Sequence, residues 1–421
     1  MNPSSNAHRP IERDESMLHI QESAASEAGS FGLWGRAFRP FFLGLAIHTA
    51  LALPWWILVW LGWLPAPRWL IPMWWHGHEM MFGFVAAAIA GFLLTASPVW
   101  SGGPALRGGP LAALFALWIS GRIALAAAGA IPAWLVAGID FAFLPAVALA
   151  VVRTLWGSGQ RRNYAVVGIV VGLAIANGSV HAEALGLAAP GSARAGLRFA
   201  VDLVVVLLLV IGGRITPAFT QNALRQRGSG HVVHVRPWAG ALAIAATAAL
   251  ALTTLLVGRT MLTGLLATLA GVAAAIRLAG WRTWQIRSDA LLWSLHAGAA
   301  WLVVGLLLVG ASDLGAGAVI PAAAGLHALT AGAMGASILA VITRVGLGHT
   351  GRPLVLPRGV VWSHVLVHVA VLARVAGAFF PGEGQRALLV ASALAWAAAF
   401  GFFAVRYWPI LTTPRPDGRP G

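Results

Sequence analysis

Hydrophobic and polar positions along this chain are sorted into long blocks. Apolar runs of about 20 residues, the length that crosses a bilayer as a helix, recur from end to end. They predict twelve spans, at roughly 41–61, 79–98, 110–129, 132–152, 164–186, 196–212, 238–258, 260–280, 290–310, 319–343, 359–379 and 386–408. Gly, Pro and Arg mark the joins. No segment between spans is long enough to fold as a soluble domain. The expected architecture is an all-α polytopic membrane protein, with a twelve-helix transmembrane domain over 34–408. Residues 1–33 are polar and lack the apolar centre of a signal peptide, so they read as a disordered cytoplasmic tail. Residues 409–421 read as a cytoplasmic C-terminal tail.

Composition agrees. The chain is 59% hydrophobic and 10% charged, where a soluble domain averages about 25% charged residues. Its 50 glycines suit helices packed closely in lipid. There is no cysteine. That excludes disulfides, thiolate-bound zinc, all-Cys iron–sulfur clusters and a Cys nucleophile. Any transition metal must be held by His, Met or carboxylate.

The net charge of +15 comes from Arg alone, 28 residues with no Lys. In a soluble protein it would suggest nucleic acid. Here it serves topology, and no nucleic-acid partner is expected. With the N-terminus inside, 21 Arg fall on the inner side and 5 on the outer, while Arg122 and Arg374 lie within spans. So strong a bias follows the positive-inside rule and supports an even span count, with both termini cytoplasmic. The 20 Trp are expected mostly as interfacial anchors against membrane lipids.

Candidate chemistry centres on histidine, the commonest side-chain metal ligand. His76 and His78 open span 2, His181 lies near the outer end of span 5, and His327 lies in the outer part of span 10. At 1.5 Å per residue these four fall within roughly 10 Å of one another in depth. Glu79 and Glu183 share their layer. Three helices thus deliver His76, His78, His181 and His327 to one level, which suits a copper or haem site. His76 and His78 are about 200° apart around a helix, so one centre takes both only if the first turn is unwound, and His76 otherwise serves a second metal, a support role or the interface. His78 is the one expected to point inward.

His48, His296, His364 and His368 fall in the inner half, with His349 just below. A hydrogen bond to a neighbouring helix is the plainer account of His48, His364 and His368. Arg122 and Asp140 sit at similar depth in adjacent spans and are expected to form a structural ion pair, and Asp202 to meet Arg198 or Arg374. Met80, Met81 and Met334 read as core packing. Spans 2 and 10 each carry a His near the outer end followed by small residues, out of register for a six-plus-six repeat.

Several segments together resemble the NnrS family. The main one is Trp75-His76-Gly77-His78-Glu79-Met80-Met81-Phe82-Gly83-Phe84, continued by Gly91-Phe92-Leu93-Leu94-Thr95-Ala96. Others are Arg39-Pro40-Phe41-Phe42, Ala176-Asn177 with His181, Gly212-Gly213-Arg214, Leu295-His296-Ala297-Gly298, His327 to Gly335, and Thr343 to Arg352. The resemblance spans about 34–408. It implies a bacterial inner-membrane protein of about twelve helices that carries haem b and copper and takes part in the response to nitric oxide, the expected ligand, in denitrifying or nitrosatively stressed cells. The matching histidines are His76, His78, His181, His296, His327 and His349, the candidate cofactor-binding set. Which of them hold haem and which copper stays open. Arg344 and Arg352 are candidates for haem-propionate or lipid-headgroup contacts, though topology also explains them.

No catalytic residue is assignable. Two other functions remain in view. A secondary transporter fits the helix count, but its ionisable groups would gather near the midplane. An oxidase-like subunit turning over a diatomic ligand would need an adjacent His pair and a Tyr beside the outer cluster. The chain has no His-His pair, and Tyr164 and Tyr407 lie near the inner face.

Overall fold

A computed structural model describes residues 32–159 and 163–418. Most of the expected N-terminal tail, with His8 and His19, lies outside the described residues, as do Arg161, Arg162 and Arg419. Among the described residues the fold is helical and contains no strand.

Twelve helices account for the apolar blocks. They are α1 Phe38–Trp60, α2 Pro72–Ser101, α3 Gly108–Ala126, α4 Ala133–Leu155, α5 Tyr164–Ala184, α6 Ser192–Gln226, α7 Pro237–Val257, α8 Met261–Ala279, α9 Ala290–Asp313, α10 Ala322–His349, α11 Val361–Ala376 and α12 Glu383–Thr412. Eleven are long and apolar enough to cross a bilayer. The exception is α11, with 16 residues, about 24 Å at 1.5 Å per residue. The chain is a multi-pass membrane protein.

Three boundaries differ from the hydrophobic pattern. α2 begins at Pro72, a residue whose missing N–H costs nothing in the first turn. Trp74 to His78 are therefore helical. α6 runs on through Pro217 to Gln226, and so takes up much of the expected loop from Gly213 to Pro237. α10 continues to His349.

Successive helices pack side by side in a ring that closes where α12 lies along α1. Arg39 in the first turn of α1 fastens this seam by donating from Nη1 to the carbonyls of Leu411 and Thr413. Trp396 Nε1 on α12 donates to Thr49 Oγ1 on α1 at 2.8 Å. α2 and α10 are the most enclosed helices, and α6 touches both. Enclosure follows position: 83% of the apolar window of α2 is buried, against 28% for α7.

α2 and α10 share an irregularity. Each begins as a short α-helix that ends on a histidine, His78 or His327. Each then passes through a π-helical stretch, Glu79–Val85 or Ala328–Ala336, before α-helix resumes. A π-turn inserts a residue into the helical ladder, rotates the following face, and is frequent at functional sites. The packing around the two also matches. α1 packs on α2, α2 on α4 and α3 on α4, as α9 packs on α10, α10 on α12 and α11 on α12. The first and last four helices are thus arranged alike. The similarity of spans 2 and 10 belongs to a four-helix unit, which is why it is out of register at six plus six.

Candidate metal centre

The π-helical opening of α2 puts polar side chains against α3, α4 and α5 in the half of the bundle nearer the arginine-poor face. His78 is fully buried. Its Nε2 lies 2.9 Å from Asn177 Oδ1 and 3.1 Å from Asp140 Oδ2, and its Nδ1 lies 3.3 Å from Glu79 Oε1. His181 Nε2 lies 2.8 Å from the same Asp140 Oδ2. Asn177, one turn before His181 on α5, donates from Nδ2 to that oxygen at 2.9 Å. Arg122 on α3 bridges the carboxylates, with Nη1 2.9 Å from Glu79 Oε1 and Nη2 paired with Asp140 Oδ1.

Two physical features of this cluster leave a place for one more positive charge, either a metal ion or a second proton on His78. The first is proton supply. Both ring nitrogens of His78 face acceptor oxygens, yet a neutral imidazole carries one N–H. One contact lacks a donor. The second is charge. Two buried carboxylates face one guanidinium, and an uncompensated charge in a low-dielectric interior costs several kcal/mol. One ligand atom each from His78, Asp140 and His181 lies within 4.8 Å of the others, and all three residues are buried. Metal bonds of about 2.0–2.1 Å to nitrogen and oxygen place neighbouring ligand atoms about 3 Å apart. The separations of 3.1 and 2.8 Å match that spacing. Two imidazoles and a carboxylate suit iron, copper or zinc. The donor set therefore fits a transition metal.

The chain matches the family model of the NnrS protein over residues 32–415. It belongs to the NnrS family. No curated protein matches it.

The family's histidine positions do not converge in this NnrS chain. His78 and His181 meet, with the Arg122–Asp140 pair between their helices. His76 points away from them and stacks flat on Trp56, ring centroids 4.9 Å apart. His327, grouped with His78 by depth, stands apart from the cluster, and its Nδ1 bonds the Ala323 carbonyl. Depth says nothing about lateral position. His296 is held on both sides, with Nε2 2.8 Å from Thr220 Oγ1 and Nδ1 2.9 Å from Thr283 Oγ1. His349 packs its ring on Phe38, 5.7 Å between centroids. Glu183 takes no part in the cluster. Its Oε2 accepts from Ala193 N at the start of α6.

Among the remaining groups, His48 and Asn177 fall where the hydrophobic pattern did not put them, while Arg198 with Asp202 and the methionines Met81 and Met334 fall as expected. His48, assigned to the inner half, sits mid-helix with Nε2 3.4 Å from Glu79 Oε2. Asn177 escaped notice as a site residue. Its signal was the i, i+4 spacing to His181, which puts both on one face of α5. Arg198 meets Asp202 at 3.6 Å. Arg344 lies over the Phe219 ring, and Arg352 Nη2 donates to Thr413 Oγ1. Met81 and Met334 are in the apolar core.

An apolar cavity of about 120 Å³ lies between α2, α6, α8, α9 and α10, lined by residues such as Phe92, Leu207, Leu302 and Met334, with Arg277 at its edge. No histidine lines it, so it offers no axial imidazole.

Proposed function

We propose that this NnrS-family protein binds a transition metal of the copper class through His78, His181 and Asp140, and through it takes part in the bacterial response to nitric oxide. The convergence of three buried ligand atoms on one point carries the reading. When bound, such a metal supplies an electrophilic centre with an open position for a diatomic ligand. The chain's own residues do the rest. Arg122 holds the Asp140 carboxylate from its far oxygen, so that Oδ2 faces the histidines. Asn177 steadies that oxygen. Glu79 orients the His78 ring through Nδ1, the outer-shell contact that fixes a ligating imidazole. Trp69 and Phe82, against His181 and His78, keep water from the site. Nitric oxide partitions into lipid and reaches a buried centre without an aqueous channel. The arginine bias favours cytoplasmic termini in an inner membrane, with the site near the outer surface.

The test is metal analysis of purified protein from copper-replete cells, with optical and paramagnetic resonance spectra before and after adding nitric oxide. His78→Ala and His181→Ala are expected to lose the metal, and His76→Ala and His349→Ala to keep it. Wild-type protein free of transition metal, or spectra indifferent to nitric oxide, would overturn the reading.

The transporter reading draws on the paired π-helical interruptions of α2 and α10, since irregular helices at matching positions mark transport sites. It requires substrate flux in proteoliposomes that survives loss of His78.

A further inference from the structure

Arg277 lies in the last turn of α8, where an arginine ordinarily snorkels its charge toward water. Its side chain does the opposite. It reaches into the bundle, and Nη1 donates to the Leu209 carbonyl at 3.1 Å. Leu209 lies about 25 Å along α6 from the outer end of that helix at Ser192, by helical rise. That is within a hydrocarbon core about 30 Å thick. The neighbouring helices are cut away for the guanidinium. A Cβ at Gly213 on α6 would collide with Nη2, and one at Gly240 on α7 would lie 3.4 Å from Nε. Among the described residues Arg277 has no carboxylate partner and no acceptor besides Leu209. A charge held this way in a low dielectric is costly unless a ligand brings the opposite sign.

The guanidinium borders the apolar cavity between α2, α6, α8, α9 and α10. The lining on α6 runs from Val204 to Thr216, about 18 Å by helical rise. Arg277 and Trp281 lie toward the arginine-rich end, and Leu302 and Met334 line it near mid-depth. The Trp281 ring is 5.7 Å from the guanidinium carbon. The cavity therefore runs from headgroup level to about the bilayer midplane, the depth of one leaflet. It is partly open, so a chain can enter from the side. Its apolar walls match a hydrocarbon chain, and its one charge matches an acidic head.

We propose that an anionic phospholipid of the arginine-rich leaflet binds here, with one acyl chain in the cavity and its phosphate on Arg277 Nε and Nη2. Guanidinium meets phosphate through two parallel N–H bonds, and Nη1 stays with Leu209. The unpaired charge favours a lipid of net negative charge over a zwitterion. The site uses none of the metal-centre residues, so either can fail alone.

The experiment is native mass spectrometry of the purified full chain in detergent, titrated with dioleoyl phosphatidylglycerol, dioleoyl phosphatidylcholine or oleate. Wild type is expected to hold one phosphatidylglycerol saturably and to bind phosphatidylcholine at least tenfold more weakly. Arg277→Gln is expected to bind phosphatidylglycerol at least tenfold more weakly than wild type, and Arg277→Lys to keep part of the affinity. Ala299→Leu narrows the cavity without touching the charge and is expected to lose the saturable site. Should Arg277→Gln fail to fold, Ala299→Leu carries the comparison. Phosphatidylglycerol is also expected to raise the melting temperature of wild type and not of Arg277→Gln, as a ligand of the folded state does. Equal affinity for the two phospholipids in wild type overturns the proposal. So does phosphatidylglycerol binding that neither Arg277→Gln nor Ala299→Leu weakens. Oleate bound as tightly as phosphatidylglycerol, and lost in Arg277→Gln, also overturns it and gives the site to a free fatty acid.

Discussion

His78 and His181, on different helices and more than a hundred residues apart, direct their Nε2 atoms at one oxygen of Asp140, at 3.1 and 2.8 Å. The carboxylate is the hinge of the site. Asp140→Asn keeps its size but removes the charge and replaces one oxygen by NH₂. Metal affinity is expected to fall by at least about 10–100-fold, the loss seen when a residue that only supports a ligand is removed. Elemental analysis after dialysis against a graded chelator measures it. Retention equal to wild type would show that Asp140 is not a ligand.

Arg122 holds two buried carboxylates, so its loss should cost more than an ordinary pair. Arg122→Leu is expected to lower stability by about 3–5 kcal/mol, because the charges it leaves behind are uncompensated. Adding Glu79→Gln and Asp140→Asn should restore much of that. Unfolding in mixed micelles compares the three proteins. A triple variant no more stable than Arg122→Leu alone would mean the cost lies elsewhere.

Gly83 on α2 lies against the cluster. A Cβ there would meet Arg122 Nη1 and His48 Nε2 at 2.7 Å, and Glu79 Oε2 at 3.3 Å. Gly83→Ala should therefore destabilise by about 1–3 kcal/mol, the usual cost of overpacking. Gly168 on α5 has open space around its Cβ position. Gly168→Ala should be neutral or stabilising by up to about 1 kcal/mol, as expected of Ala over Gly in a helix. The sign difference between two identical substitutions is the readout.

His296 occupies a family motif yet is closed by two hydroxyls. Thr220 Oγ1 donates to the Thr216 carbonyl, so it accepts from His296 Nε2–H, and Nδ1 accepts from Thr283. Thr220→Val should leave a buried N–H unpaired at a cost of about 1–3 kcal/mol. His296→Ala should leave the metal content unchanged. Loss of metal in that variant would join His296 to the centre.

Much of this was legible in the sequence, and the rest was not for definable reasons. Helix count and order follow from apolar block length, which the bilayer enforces. The common depth of His78 and His181 follows from counting along helices. Lateral position does not, and so depth groups His327 with His78 although the short helix that ends on His327 packs on α11. His48 was placed too deep because α1 begins at Phe38 and its midpoint, not its inner half, carries that residue. The π-turns left no trace in the apolar pattern, yet they set which face of α2 and α10 turns inward.

The seam between α1 and α12 bears on how the protein is made. Arg39 emerges from the ribosome early, but its acceptors, the Leu411 and Thr413 carbonyls, follow it by 372 and 374 residues. Until then Arg39 and Thr49 on α1 wait in the nascent chain without their final contacts. Closure of the bundle therefore waits until α12 has been made, and a chain that stops before α12 leaves the first helix unlatched.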